Sequence, residues 1–537
     1  SETVRKCTRT FSSAVELMDD HPEYRFSCSQ AQQYAWIEDR HPELFDRITR
    51  RVERGQWEPV GGMWVEPDMN LPSGESLVRQ IVHGQRYFES RFGRRCTEVW
   101  IPDVFGYPAS LPQVFAAGGM HRFVTQKLSW NTTNTMPHHT FWWEGLDGTR
   151  VLTHFPPVDT YNAEITPEEC IESVERFRDA AWSDWSLMPF GHGDGGGGPT
   201  AEMLERARRL ADLDGVAKVE VGTPSDFFER VEREARAGAP VPVWRGELYF
   251  ETHRGTLTSQ LRTKAGNRRC EHLLAEVEWL ATLAPDGADL RADLEALWQR
   301  TLTQQFHDIL PGSSIAWVHE DAEREHADIA ARLARLRAAM IDRLVPSGPH
   351  VVNPAHVDRD ELVEGIEHDG APARVRVPAG SITALADALV PIEDRVVVSP
   401  RAMSNGHLAV RWDDAGSITS IISIDHAREI VPVGAPFGAL EIGPDRPVRY
   451  DAWDLESWTP DLATPLGQAD SLRSGCEDDA VGRVRATYSF GGSTAAIDYV
   501  LRAGSPYLDI EVEVDWHERE RLLSIAFPID VRADTAA

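Results

Sequence analysis

An alternation of short apolar runs with capped helical segments, between residues 24 and 236, constrains the fold of this chain more than any other feature. The runs that predict strands lie at residues 24–29, 57–60, 97–101, 121–125, 150–154, 187–190 and 218–221. Helical segments separate most of these runs, and Thr166 and Thr223 each open a helix with a Thr-Pro signature. Strands that alternate with helices are typical of a parallel sheet or barrel. We therefore predict an α/β, barrel-like domain of parallel β/α units over residues 1–238.

The rest of the chain changes character twice. An Ala-Pro-Val-Pro segment at residues 239–242 marks a linker. Helical patterns follow at residues 259–283, 290–305 and 318–344. These predict a three-helix bundle over residues 239–346, which carries His307. Beyond it, Val- and Ile-rich runs alternate with turn residues, and this pattern predicts an all-β sandwich over residues 347–537.

Charge and cysteine usage exclude several classes of protein. Asp and Glu number 85 against 55 Lys and Arg, which gives a formal net charge of −30. Nucleic acid and anionic membrane surfaces are therefore excluded as partners, because phosphate binding needs clustered basic residues. No apolar run reaches membrane-spanning length, and the 6 cysteines are scattered with no Cys-x-x-Cys pair. We predict a cytoplasmic protein that acts on a small molecule.

Polar side chains follow two of the predicted strands, where ligands bind in barrels and open sheets. Asp103, with Phe105 two residues on, comes directly after the run at residues 97–101, and Lys127 follows the run at residues 121–125. An aspartate at such a position can also cap a turn or helix. If the segment around Asp103 is considered by itself, this structural role is favoured over a catalytic one. The motif does not stand alone, so Asp103 is a candidate for chemistry.

Two more clusters lie at the ends of later elements. Asp194 stands in a glycine-rich loop at residues 191–198 and could pair with Asp103 as the two carboxylates of a glycosidase, a plain surface loop being the alternative. The loop lacks the Lys-Ser or Lys-Thr ending of a phosphate-binding loop. His307, at the end of a predicted bundle helix, offers an imidazole to a metal, although capping and packing are commoner roles for a lone histidine. The residues alone predict a β/α enzyme with a carboxylate-lined site.

Taken together, these segments resemble the α-mannosidases of glycoside hydrolase family 38, in their cytosolic, bacterial and fungal-vacuolar branch. The resemblance covers nearly the whole chain. It is carried by residues 9–13, 28–34, 58–68, 71–76, 102–107, 125–131, 153–157, 193–198, 249–256 and 305–308.

The resemblance implies a retaining, zinc-dependent hydrolase that removes terminal α-D-mannose from oligosaccharides. In the pattern of this family, Asp103 is both nucleophile and zinc ligand, His307 is a second zinc ligand, and Asp194 is the acid/base. The predicted substrate-binding residues are Phe105, Lys127, Asp308 and His253. Replacement of zinc by cobalt or another divalent ion stays open, as does the oligomeric state, including a homo-oligomer.

One departure from the family concerns the zinc site. The other two zinc ligands of the family lie in a His-x-Asp motif that closes the first barrel strand, and this chain begins after that segment. Because two of four protein ligands hold zinc poorly, we expect this chain alone to be inactive or nearly so. The alternatives are a non-catalytic carbohydrate-binding remnant and a zinc deacetylase acting on amino sugars.

Overall fold

A computed structural model describes residues 2–284, 290–345, 348–368, 371–477 and 479–531. Contacts divide the chain into two compact units, the first comprising Ser1–Ala338 with Ala452–Asp454 and the second Ala339–Asp451 with Leu455–Ala537. The first unit thus contains both the predicted β/α region and most of the predicted helical bundle. No helix among the described residues is long and apolar enough to cross a membrane.

The first unit alternates strands and helices before it becomes entirely helical. Its strands are β1 Phe26–Cys28, β2 Trp57–Pro59, β3 Glu98–Trp100, β4 Arg122–Val124, β5 Thr140–Glu144, β6 Arg150–His154 and β7 Val243–Arg245. Its helices are α1 Glu2–Asp20, α2 Ala31–Arg40, α3 Pro42–Glu53, α4 Gly74–Phe92, α5 Leu111–Ala117, α6 Pro167–Arg176, α7 Ala201–Leu210, α8 Pro224–Arg236, α9 Leu261–Leu283, α10 Arg291–Thr303 and α11 Ala316–Leu344, the last of which continues into the second unit. Both predicted Thr-Pro helix starts are capping boxes, at α6 and α8.

The strands of this unit form two sheets. Strands β1 and β2 pair in parallel, and a five-stranded sheet has the order β3-β4-β6-β5-β7. Strands β3, β4 and β6 are parallel, whereas β5 runs antiparallel to β6 and parallel to β7. The alternation was predicted correctly, but the sheet is mixed, and closure into a barrel is not confirmed.

Two predicted strands are wrong. Residues 187–190 and 218–221 form no strand, and Phe190 makes only an isolated bridge to Ala163. The reason at the first segment is that the Leu187 N–H donates to Nε2 of His154 instead of to a neighbouring strand. At the second, Val219 and Val221 pack on an apolar cluster that includes Ala207 and Leu210 of α7, and the Val219 N–H donates to the Leu210 carbonyl oxygen at 3.4 Å instead of to a strand. Strands β5 and β7, which complete the sheet, were not among the predicted strands.

Apolar side chains explain where the core lies. The sheet buries Val99, Phe123, Phe141 and Trp143 in one cluster. The three predicted helices are present as α9, α10 and α11, whereas their separation as a domain of residues 239–346 stays a prediction. Their buried residues, such as Leu274, join a second cluster that extends to α1–α4.

The described residues of the second unit form antiparallel sheets, the end of α11, one short α-helix and a 3₁₀ helix at Pro460–Leu462. Its strands are β8 His350–Asn353, β9 Arg359–His368, β10 Ala371–Val377, β11 Ser381–Ala384, β12 Leu389–Pro391, β13 Val397–Ser399, β14 Ala402–Ser404, β15 Leu408–Trp412, β16 Ile418–Ser423, β17 Arg428–Glu429, β18 Ala439–Pro444, β19 Thr464–Pro465, β20 Ser471–Glu477, β21 Val481–Phe490, β22 Ser493–Arg502, β23 Leu508–Asp515 and β24 Arg521–Ala526, with the helix α12 Leu385–Ala388. Side chains from three of its sheets, including Val410, Leu440 and Ile497, share one apolar core. The predicted β-sheet character of this part of the chain is therefore confirmed, whereas its arrangement as a sandwich over residues 347–537 stays a prediction.

Candidate active site

Asp103 lies three residues beyond the end of β3, in a loop that the core holds in place. Ile101 and Val104, on either side of it in the sequence, are 1% and 0% exposed. Their carbonyl oxygens lie 2.9 and 3.1 Å from the Tyr107 hydroxyl. The Asp103 side chain keeps 22% of its surface exposed. The buried residues on either side thus hold the loop in place, while the Asp103 carboxylate remains partly exposed to solvent.

Three side chains contact this carboxylate. Lys127 Nζ donates to Asp103 Oδ1 at 2.5 Å, and the Tyr161 hydroxyl donates to the same oxygen at 3.1 Å. His307 Nε2 lies 3.4 Å from Asp103 Oδ2. Burial alone would raise the pKa of Asp103, but His307 and Lys127 outweigh it and hold that pKa well below its usual range. Asp103 is therefore a carboxylate at neutral pH.

The orientation of His307 is fixed from a distant part of the chain. Its Nδ1 lies 2.9 Å from the carbonyl oxygen of Glu66, to which the His307 backbone N–H also donates at 3.2 Å. With Nδ1 as the donor, Nε2 faces Asp103. Burial opposes the charged imidazole, yet the hydrogen bond to Asp103 and the nearby Asp308 raise the pKa of His307 to about 9. Burial raises the pKa of the Glu66 side chain to about 7.

Aromatic rings surround the Lys127 ammonium. Its Nζ lies 4.5 Å from the ring centroid of Trp130, 5.2 Å from that of Phe105 and 5.8 Å from that of Phe250. A cation over aromatic faces is stabilised by their quadrupoles. The predicted substrate-binding residues Phe105 and Lys127 are thus brought together at Asp103.

His253 packs against two of these rings. Its ring centroid is 4.7 Å from that of Phe105 and 4.9 Å from that of Phe250, and its backbone, at φ 62°, donates an N–H to Asp454 Oδ1 at 2.5 Å. Burial and the charge of Lys127 lower the pKa of His253 to about 3. The His253 side chain is therefore a neutral imidazole that packs against Phe105 and Phe250.

The remaining predicted residues surround Tyr161. Asp308 accepts a hydrogen bond from Ser313 Oγ at 2.9 Å, and Asp194 is exposed, with its backbone N–H donated to Asn162 Oδ1 at 3.0 Å. Burial raises the pKa of Tyr161, and the charges of Asp103, Asp194 and Asp308 raise it further. The three carboxylates therefore lie within electrostatic reach of one phenol.

The glycine-rich loop around Asp194 is tied to the first helix. The Gly196 carbonyl oxygen accepts hydrogen bonds from Thr10 Oγ1 at 2.6 Å and from Arg9 at 3.2 Å. Gly191, like Gly196, has a positive φ, a conformation that glycine adopts at little cost. The loop is thus held by backbone contacts that a larger residue would disturb.

Two residues of the site were missed. Tyr161 lies seven residues beyond the end of β6, in a loop whose position after a strand was the available signal. Glu66 acts through its backbone carbonyl, which no side-chain pattern reveals.

Asp103 and His307 fit only part of a zinc site. Two ligands about 2.0–2.2 Å from a tetrahedral zinc are about 3.3–3.6 Å apart, a range that includes the 3.4 Å between Asp103 Oδ2 and His307 Nε2. Among the described residues, however, no group of three or more His, Cys, Asp and Glu side chains is placed to hold a metal. The pair therefore matches two positions of a zinc tetrahedron and does not complete it.

Relatives of this chain carry the name alpha-mannosidase. Alpha-mannosidase 2C1 of Homo sapiens is 40% identical over 558 residues, a match that covers 100% of this chain and 53% of the relative. The Saccharomyces cerevisiae alpha-mannosidase is 33% identical over 571 residues, covering 100% and 51% respectively. The chain thus spans about half the length of the curated relatives it matches. An alpha-mannosidase structure from Enterococcus faecalis V583 matches 98% of this chain and 73% of that chain, with a TM-score of 0.79 at 14% identity, and so shows the fold alone.

Three family models match consecutive parts of the chain. The N-terminal domain of glycosyl hydrolases family 38 matches residues 1–247, the alpha mannosidase middle domain residues 251–344, and the family 38 C-terminal domain residues 403–537. Because these models follow one another in order and the relatives align along the entire chain, the chain belongs to glycosyl hydrolase family 38, a family of glycosidases.

Proposed function

We propose that this protein is a retaining α-mannosidase that removes terminal α-D-mannose from oligosaccharides, with Asp103 as its nucleophile. The observation that carries the proposal is the Asp103 carboxylate, ionised and partly exposed, with Lys127, Tyr161 and His307 fixed around it. A nucleophilic carboxylate has to be ionised and open to the substrate. The names of the relatives support mannose as the sugar.

The proposed reaction uses two carboxylates, Asp103 as the nucleophile and Asp194 as the acid/base. An Asp103 oxygen attacks the anomeric carbon while the bond to the leaving oxygen breaks, and Asp194 gives that oxygen a proton. Asp194 then takes a proton from water, which attacks the anomeric carbon of the mannosyl ester and releases Asp103. The solvent-exposed position of Asp194 suits both proton transfers. Lys127 and Tyr161 hold the nucleophile in place through Oδ1.

The proposal includes one zinc ion, replaceable by cobalt, with Asp103 and His307 as two of its ligands. A bound ion would act as a Lewis acid that holds hydroxyl groups of the sugar. Because the described residues supply only this pair, we expect these 537 residues to bind zinc weakly and to be inactive or nearly so unless zinc is supplied in excess, and the activity tests therefore contain added zinc. We also propose a cytoplasmic location, which the free thiols of Cys7, Cys28 and Cys96 support.

The incomplete metal site favours one alternative, a carbohydrate-binding protein without turnover. A chromogenic α-mannoside assay beside calorimetric titration with mannose separates the two functions. We expect mannose binding that Asp103→Asn weakens, and hydrolysis that the same change abolishes. Binding without hydrolysis in the presence of added zinc supports the alternative. Loss of both mannose binding and hydrolysis in the unaltered chain, with zinc in excess, contradicts the proposal.

A further inference from the structure

One side chain that the proposed reaction does not use binds the backbone of the Asp103 loop. Asn70 Nδ2 donates to the Phe105 carbonyl oxygen at 3.2 Å and to the Gly106 carbonyl oxygen at 3.3 Å. An amide nitrogen has two N–H donors, so one asparagine can serve both carbonyl groups at once. These groups belong to the second and third residues after Asp103. Asn70 therefore contacts the loop immediately beyond the nucleophile.

Gly106 makes the turn that Asn70 binds. Its φ is 102°, a conformation that glycine adopts at little cost. The Gly106 N–H donates to the Val104 carbonyl oxygen at 3.1 Å, and the Tyr107 N–H donates to the Leu248 carbonyl oxygen at 3.0 Å. A hydrogen-bonded N–H exchanges its proton with water only when the local structure opens. These two N–H groups therefore report how often the turn opens.

A buried carboxylate holds the backbone of Asn70 in place. Asp68 is 2% exposed, and its Oδ1 accepts hydrogen bonds from the N–H groups of Asn70, at 2.8 Å, and Leu71, at 2.7 Å. The Asp68 N–H donates to the Gln305 carbonyl oxygen at 2.9 Å. Asn70 itself is exposed. A substitution at residue 70 therefore removes contacts with the loop without opening a cavity in the core.

The same short segment contacts His307. The Glu66 carbonyl oxygen lies 2.9 Å from His307 Nδ1 and accepts the His307 backbone N–H at 3.2 Å. Four residues further along, Asn70 binds the loop of Asp103. Residues 66–70 thus contact both parts of the chain that supply the pair. The 3.4 Å between Asp103 Oδ2 and His307 Nε2 therefore depends on contacts at both ends of this segment.

We propose that Asn70 is a positioning residue for the nucleophile, whose amide group fixes the loop of Asp103 relative to His307. This inference rests on the proposed function. The role requires an amide, because Asn70→Asp keeps the size of the side chain but replaces the two donors by acceptor oxygens. Those oxygens would face the Phe105 and Gly106 carbonyl oxygens and repel them.

Hydrogen exchange measured by mass spectrometry tests the loop without relying on turnover. The variants are Asn70→Asp and Asn70→Ala. In both we expect the Gly106 and Tyr107 N–H groups to exchange about tenfold faster, because two hydrogen bonds to the turn are lost. Gln468→Glu is the matched control, since this exposed amide lies in the second unit and also donates to a backbone carbonyl oxygen, that of Asp414, at 3.4 Å. It should leave exchange in the loop unchanged.

The kinetic test uses an aryl α-mannoside with zinc in excess. Because a displaced nucleophile weakens the transition state more than it weakens sugar binding, we expect kcat to fall about 10- to 100-fold in both Asn70 variants, with KM within about twofold. Urea unfolding should give the same midpoint as the unaltered protein. A merely structural role would lower that midpoint and leave the kcat of the folded enzyme unchanged. Gln468→Glu should change none of these values.

Three results would overturn the positioning role: unchanged exchange in the loop of both Asn70 variants, an unchanged kcat in Asn70→Ala, or faster exchange throughout the first unit together with a lower unfolding midpoint. Failure of the proposed function is distinguishable, because the unaltered protein would then neither bind mannose nor hydrolyse the mannoside. In that case the exchange result alone decides whether Asn70 holds the loop, and only its link to the reaction is lost.

Discussion

At the scale of single residues, the site is defined by how Asp103 remains charged. Burial opposes the carboxylate, and the pair of cationic groups, Lys127 and His307, more than compensates. The same coupling raises the pKa of His307, so each partner stabilises the charged form of the other. Tyr161 adds a neutral donor to this arrangement.

Removal of the Tyr161 hydroxyl should slow the reaction without dismantling the site. Tyr161→Phe loses the 3.1 Å hydrogen bond to Asp103 but keeps the ring against Trp130. A hydrogen bond to a charged group contributes about 1.5–3 kcal/mol, so we expect kcat/KM for an aryl α-mannoside to fall about 10- to 100-fold. Tyr507→Phe, at an exposed position, is the control. Equal rates for Tyr161→Phe and the unaltered enzyme would show that the hydroxyl has no role in positioning Asp103.

A buried histidine should make the fold sensitive to acid. His139 is 9% exposed and its Nδ1 accepts a hydrogen bond from the Arg178 N–H at 3.1 Å. Burial, with the charge of Arg178, lowers its pKa to about 4. The unfolded chain binds the proton with the ordinary pKa of about 6.5, so stability falls as the pH drops from about 6.5 towards 4.

Between pH 7.5 and pH 5, the protonation of His139 should lower the free energy of unfolding by about 2 kcal/mol. Urea unfolding at pH 7.5 and pH 5 measures it, and His139→Gln should reduce the difference by about that amount. His356→Gln, at an exposed position, should leave the difference unchanged. A pH dependence that is the same in His139→Gln and the unaltered protein would contradict the assignment.

At the scale of elements, helix α4 holds the segment that orients His307. A Cβ atom at Gly84 would lie 2.4 Å from the Met63 carbonyl carbon and 2.5 Å from the Gly62 carbonyl oxygen. The backbone of α4 therefore contacts the loop directly, three residues before Glu66. The Trp64 N–H donates to the Gln80 carbonyl oxygen at 2.9 Å, which fixes the loop to the same helix.

Gly84→Ala should therefore destabilise the fold and disturb the site. Backbone atoms cannot move aside as a flexible side chain can, so we expect a loss of about 1–3 kcal/mol of unfolding free energy. Gly74→Ala is the matched control, because it lies in the same helix with nothing within 4 Å of its Cβ position. Chemical denaturation of both variants measures the difference. Equal stability of the two variants would show that α4 and the loop are free to separate.

The sequence predicted those parts of the site that depend on local pattern. Asp103 and Lys127 each lie three residues beyond the end of a strand, and parallel neighbours bring such positions together. The hydrogen bond between His307 Nδ1 and the Glu66 carbonyl oxygen joins residues 241 positions apart and uses a backbone atom. No local sequence pattern could therefore predict it. Strand β5 was missed altogether, although its Trp143 is fully buried in the sheet.

At the scale of the whole molecule, the first unit carries every residue of the candidate site, from Glu66 to Asp308. The second unit contributes antiparallel sheets around its own core. The chain has a formal net charge of −30, yet its site holds the cationic Lys127 at the nucleophile. The central claim concerns a single residue of the first unit: Asp103 is the nucleophile.

Covalent trapping tests this claim most directly. A 2-deoxy-2-fluoro-α-mannosyl fluoride should form an ester with the nucleophile that hydrolyses slowly, because the fluorine destabilises the oxocarbenium-like transition state. After proteolysis, mass spectrometry locates the added sugar. We predict the label on the peptide that contains Asp103, and no label on the same peptide of Asp103→Asn. A label on Asp194 or on any other carboxylate, in a protein that hydrolyses α-mannosides, would contradict the account.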